Sequence, residues 1–135
     1  MPTEKFCGKF ASLPLAGDFV SRIARKSGMD DAAVYQIELA VDEAFTNIIE
    51  HAYGGEGKGD IEISVTPARE GLRIILRDHG KQFDPDDVPI PDFNIPIEKL
   101  QSRGAGLYLI RKIMDEVRFR FDAKKGNELM MLKQW

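Results

Sequence analysis

Glu43 and Asn47 stand four residues apart in a stretch whose apolar positions recur at three and four, so both project from one helix face, one turn apart. A carboxylate so placed can take up a proton, and an amide oxygen can ligate a hard cation. Neither tolerates sealing into an apolar core without partners. A second group, Asp78-His79-Gly80-Lys81-Gln82-Phe83-Asp84, ends an alternating strand pattern. An aspartate there can accept a hydrogen bond from the exocyclic amine of a purine, and Gly80 lets a flat ring approach the backbone. The third group is Gly104-Ala105-Gly106 at the head of an apolar helix pattern, where backbone N–H groups at the positive end of a helix dipole make an anion site. Arg103 adds a charged donor suited to phosphate. Taken singly, each group has a plainer reading: a solvated helix edge, a strand-to-loop turn and a flexible helix start. A dinucleotide-binding fingerprint fails at the third group, because Leu109 or Ile110 stands where a third glycine is needed and no strand leads into the glycines.

The elements that must position these residues can be read from periodicity. Lys5 to Phe10 alternates as a short edge strand, with Phe6, Gly8 and Phe10 on one side. Pro14 opens a helix with Leu15, Phe19, Val20 and Ile23 on its apolar face, closed by Gly28. Asp30 suits the N-cap of a long helix to about Tyr53, striped by Val34, Ile37, Val41, Ala44, Phe45 and Ile48. After four glycines between 54 and 59, Ile61, Ile63 and Val65, then Leu72, Ile74 and Leu76, alternate as a hairpin. Pro85, Pro89, Pro91 and Pro96 among aspartates forbid a helix from 84 to 103, and a stretch of that length inside a compact domain reads as a lid. A helix from Gly106 to Val117 and two strands, Val117 to Phe121 and Glu128 to Trp135, complete the chain. Hairpins with helices between them predict an α+β two-layer sandwich: a mixed, mostly antiparallel sheet with helices on one face.

Composition bounds the function. The 135 residues suit a single domain, 1–135, large enough to bury a core without disulfides. A net charge of −3 argues against a protein that grips nucleic acid through phosphates. Cys7 is the one cysteine, which forms no internal disulfide and fits a reducing, cytoplasmic setting. Apolar runs of four residues (107–110 and 129–132) are far short of the roughly 20 that span a bilayer, and no signal peptide is visible, so no membrane association is expected.

In combination the three groups resemble the GHKL ATPase superfamily, whose Bergerat-type nucleotide fold uses an N box, a G1 box and a G2 box. These match Glu43-Ala44-Phe45-Thr46-Asn47, Asp78 to Phe83, and Arg103 to Leu109. Glu38 to Tyr53, ending Glu50-His51-Ala52-Tyr53, and the Gly106 helix are most similar to the stand-alone anti-sigma serine/threonine kinases of RsbW type. The resemblance implies ATP and Mg2+ as cofactors. It implies Asn47 as ligand of the Mg2+ that bridges the phosphates, Glu43 as the catalytic group that orients or deprotonates a serine hydroxyl, and Asp78 as the adenine contact, with Gly80 beside the base. Arg103, Gly104, Gly106 and Leu107 would belong to the phosphate-holding box, and Phe83 would be a packed aromatic wall. His79 replaces the asparagine often found after the G1 aspartate, and one glycine occupies a run where many relatives have two. His51, Lys58 and Lys81 read more plainly as a packed helix-end histidine and solvated surface charges.

The function implied is an ATP-dependent protein kinase acting as anti-sigma factor, with a sigma factor and a STAS-type antagonist as partners and a homodimer as the common assembly. A non-catalytic nucleotide-binding anti-sigma module is the alternative from another class. A sensor histidine kinase catalytic domain would need a dimerising helical pair bearing an acceptor histidine, for which this chain has no room.

Overall fold

A computed structural model describes residues 2–82, 105–122 and 124–135. The proposed lid, 84–103, lies outside the described residues, as do Phe83, Arg103 and Gly104.

Strand β1 (Thr3–Cys7) leads through a 3-10 turn (Phe10–Ser12) into α1 (Leu13–Lys26) and α2 (Asp31–Asn47). A π-helical turn (Ile48–Ala52) follows, then the hairpin β2 (Asp60–Pro67) and β3 (Gly71–Asp78). Helix α3 (Ala105–Ile113) and a second hairpin, β4 (Glu116–Asp122) and β5 (Gly126–Gln134), end the fold. The sheet order is β1-β2-β3-β5-β4. Every pairing between the described strands is antiparallel, so the expected α+β class holds, with a sheet more uniform than mixed.

Local chemistry explains the helix boundaries. Pro14 sits in the first turn of α1, where its missing N–H costs nothing, and Gly28 with φ of +97° closes it. Asp30 caps α2 by accepting a 2.8 Å hydrogen bond from the Ala33 N–H. Registers such as Ile63↔Leu76 and Val65↔Ile74 put the apolar set of each strand on one face. Ile61, Ile63, Val65, Ile74, Leu76 and Met131 are fully buried there, in one core with Val20, Ile37, Val41, Ala44 and Phe45. Phe6 meets Phe19 and Phe45 edge to face at 5.9 and 6.3 Å. Helix α2 packs between α1 and α3 and so runs along the middle of the helical layer.

Three boundaries differ from expectation. The first strand stops at Cys7, because Gly8 donates to the Gly59 carbonyl at 2.8 Å and the chain turns there, leaving Phe10 exposed in the 3-10 turn. The long helix is α-helical only to Asn47. From Ile48 it widens, and the Tyr53 N–H bonds back five residues to the Ile48 carbonyl. The last helix ends at Ile113 and not Val117, which is drawn into β4. There the Asp115 N–H bonds the Leu132 carbonyl, and the Asp115 carboxylate accepts from the Gln134 N–H.

Candidate functional site

Burial of Phe45 and Ala44 against the sheet leaves the adjoining face of α2 at the protein surface, half-exposed at Glu43 and Asn47. Neither side chain makes a hydrogen bond or ion pair with a described residue. Burial pushes the Glu43 carboxyl above its ordinary range, and the charges of Asp42 and Glu50 push it further the same way. A carboxylate without partners and with raised basicity is suited to accepting a proton from a substrate hydroxyl.

Asn47 is the last α-helical residue, and the π-turn begins immediately after it. Such turns recur at functional sites because they re-aim backbone groups. Here the turn presents the Ala52 carbonyl to the end of β3, where it accepts a 2.7 Å bond from the Lys81 N–H. Gly80 lies against the same peptide: a Cβ on it would fall 2.5 Å from both the carbonyl carbon and oxygen of Ala52. The glycine is therefore needed for contact between helix end and strand end, a reason additional to room beside a planar ligand. Tyr53 clamps the same junction, its hydroxyl donating to the Asp60 carbonyl at 2.6 Å and accepting from the His79 N–H at 3.0 Å.

Asp78 is 4% exposed at the floor of the site. One carboxylate oxygen accepts from the Gly80 N–H at 2.9 Å and from the Asn127 side-chain amide at 2.8 Å. Its second oxygen has no donor among the described residues, so it can accept from a ligand amine. Asn127 is the residue of this candidate site that sequence reasoning missed. It is the partner of Asp78 in the β3–β5 register, and its amide also reaches the Gly80 and Lys81 carbonyls at 3.2 Å. Nothing in its local sequence marks it.

Each of the three sequence groups reaches one cavity through a single candidate residue, and Glu43 and Gly80 are not among its lining. Asn47, Asp78 and Leu107 line one cavity of about 570 Å3, with Ala44, Ile110, Phe119, Leu129 and Asn127 among its other walls. Its size and its apolar walls with a few polar groups are those of a small-ligand site. Gly106 lies in the first turn of α3, one residue before Leu107. Among the described residues no group of three or more His, Cys, Asp or Glu gathers to hold a metal. A cation held by one protein oxygen and by ligand phosphates needs no such group, and the unengaged Asn47 amide fits that use.

Residues 8–133 match the family model described as histidine kinase-like ATPase domain. The chain belongs to the histidine kinase-like ATPase family, on its RsbW-type branch. This ATPase domain is 30% identical over 118 residues to the serine-protein kinase RsbW of Listeria monocytogenes, covering 84% of the chain and 74% of that relative. It is 33% identical over 115 residues to serine-protein kinase RsbW of Bacillus cereus, covering 82% and 70%. The histidine kinase domain of an Erythrobacter litoralis blue-light activated histidine kinase shares the fold of the family member, with a TM-score of 0.53 and 17% identity. That alignment covers 88% of the chain and 58% of the solved one. Among the described residues no helix is long and apolar enough to cross a membrane.

Proposed function

We propose that this histidine kinase-like ATPase is a protein serine/threonine kinase that uses Mg2+ and ATP and acts as an anti-sigma, partner-switching regulator in the cytoplasm. Its substrate would be a STAS-type antagonist, its alternative partner a sigma factor, and its assembly a homodimer. The observation that carries the reading is the cavity lined by Asn47 and floored by Asp78, with Glu43 unengaged one helical turn from Asn47. The relatives named serine-protein kinase support the reaction class.

Bound Mg2+ and ATP would supply the transferable phosphoryl group and the cation that offsets its charge. The open oxygen of Asp78 would accept from the adenine amino group, which selects a purine bearing an amine at that position. Asn47 would offer its amide oxygen to the cation. Backbone N–H groups in the first turn of α3 would face the phosphates, and Arg103 and Gly104 would extend that set. Glu43 would take the proton of the serine hydroxyl as the new oxygen–phosphorus bond forms and the bond to the leaving diphosphate breaks. Its raised basicity makes that uptake more favourable than for a solvated carboxylate. A phosphoserine then carries about −1.5 to −2 charges, enough to weaken a docked surface.

Labelled ATP incubated with the protein and a STAS-domain partner tests the proposal. Transfer to a partner serine, lost in Glu43→Gln while ATP still binds, is the expected result. Intact partner binding without transfer in the unaltered protein would instead establish a non-catalytic binding module.

A further inference from the structure

At the floor of the candidate site Asp78 and Asn127 are partners in the β3–β5 register, joined by the 2.8 Å bond from side-chain amide to carboxylate, and both line the cavity of about 570 Å3. We propose that Asn127 reads the base of the bound nucleotide: its amide oxygen accepts one hydrogen of the adenine amino group while the open oxygen of Asp78 accepts the other. The inference rests on the nucleotide reading above and deepens it, from a purine that bears an amine to one whose amine keeps both hydrogens.

The orientation of the amide is the first argument. Its nitrogen stands 2.8 Å from one Asp78 oxygen and 3.2 Å from each of the Gly80 and Lys81 carbonyl oxygens. Turned over, the group would set its own oxygen against three acceptors, so the nitrogen keeps that side. Its N–H hydrogens are spent there, with more acceptors than hydrogens, and none is left for a ligand. The amide oxygen has no donor among the described residues. What Asn127 offers a ligand is therefore an acceptor. It lies beside the open oxygen of Asp78, because the two side chains are already bonded to each other.

The second argument is what a ligand does to that oxygen. Asn127 is half-buried, so solvent reaches it in the free protein. A base lying against Ile110, Phe119 and Leu129 displaces that solvent, and an acceptor then left without a donor weakens binding. The neighbouring backbone has no donor to spare. The His79 N–H is spent on the Tyr53 hydroxyl, the Gly80 N–H on Asp78 and the Lys81 N–H on the Ala52 carbonyl. Among the lining side chains, Gln82 is exposed, and Arg120 alternates along β4 with Phe121, the strand partner of Asn127, and so leaves the sheet on the opposite face. The donor has to come with the ligand. Two neighbouring acceptors suit one nitrogen carrying two N–H hydrogens, which is a primary amine. A methyl in place of either hydrogen leaves one acceptor unpaired.

Titration calorimetry on the full chain with Mg2+ compares ATP, its 6-methylamino and 6-dimethylamino analogues, and GTP. Each methyl should weaken binding about tenfold, one step for each acceptor. A single reader at Asp78 would let the first methyl turn away at a cost below about threefold and put the whole loss on the second. That pattern overturns the proposal, and so does GTP binding as tightly as ATP. Two variants separate hydrogen bonding from crowding: Asn127→Leu keeps the bulk and loses the oxygen, and Asn127→Ala loses both. ATP weakens in each, because Asp78 loses a donor, but the gap between ATP and the methylamino analogue should close to below about threefold. A loosened Asp78 alone would leave that gap in place. A gap that persists in either variant, with the fold intact by circular dichroism, makes the first penalty one of crowding or of Asp78 and overturns the proposal. An unaltered chain that binds no nucleotide refutes the nucleotide reading together with this inference. One that binds ATP and the methylamino analogue alike keeps the reading and loses this inference alone.

Discussion

Replacing Asn127 with alanine tests how the floor of the proposed nucleotide site is held. The Asn127 amide donates to the Asp78 carboxylate at 2.8 Å and to the Gly80 and Lys81 carbonyls at 3.2 Å. Asp78 is 4% exposed, so water replaces the lost donor poorly, and a hydrogen bond to a buried charge is worth about 1.5–3 kcal/mol. The two carbonyls lie nearer the surface and rehydrate, adding roughly 0.5 kcal/mol. The sum, about 2–3.5 kcal/mol, corresponds to a melting temperature lowered by about 6–18 °C for a chain of this size. The Gly80 N–H remains on the same carboxylate oxygen at 2.9 Å, so Asp78 is loosened and not released. ATP affinity should accordingly fall about tenfold, or about 1.4 kcal/mol. Thermal unfolding by circular dichroism and titration calorimetry with ATP give the two readouts, and a double-mutant cycle with Asp78→Asn isolates the coupling. A melting temperature within about 2 °C of the parent, together with additive effects in the cycle, would refute the reasoning.

The remaining expectations follow from the same geometry. Gly80→Ala drives a methyl into the Ala52 peptide and should cost about 2–4 kcal/mol, from overpacking and the loss of the Lys81–Ala52 bond, seen as a lower denaturant midpoint with weakened nucleotide binding. Phe45→Ala empties a fully buried site between β1 and α2 and should cost about 3–5 kcal/mol by urea unfolding. Because burial and the neighbouring Asp42 and Glu50 raise the Glu43 carboxyl, phosphoryl transfer should fail on acidification at a pH above the ordinary carboxylate range. Asp42→Asn should move that acidic limb downward, and an unmoved limb argues against Glu43 as the base. The sign for stability is opposite to that of a paired carboxylate: the folded state disfavours the charge, so Glu43→Gln should raise the melting temperature at neutral pH. That gain should fade as the pH falls through the carboxyl's raised folded-state value and be gone below its unfolded value.

Sequence alone determined what depends on near neighbours in the chain. Alternation at Ile61, Ile63 and Val65 specifies a half-buried strand, and the stripe from Val34 to Ile48 specifies which face of α2 is covered, hence that Glu43 and Asn47 flank it. Pro14, Gly28 and Asp30 mark helix ends by their own stereochemistry. Tertiary structure decided what depends on residues far apart. Asn127 meets Asp78 only because β5 pairs with β3 in one register, and neither strand's pattern records the other's. The switch from α to π winding after Asn47 is invisible in a stripe that continues through it; contacts to Gly80, Lys81 and Tyr53 accompany the wider turn. One further cavity brings Lys5, Lys58, Lys124 and Lys125 together from three separate segments, each of which reads by itself as ordinary solvated charge. Periodicity is a property of one segment's own backbone, whereas a site is the sum of several backbones' positions, and only the folded sheet supplies those.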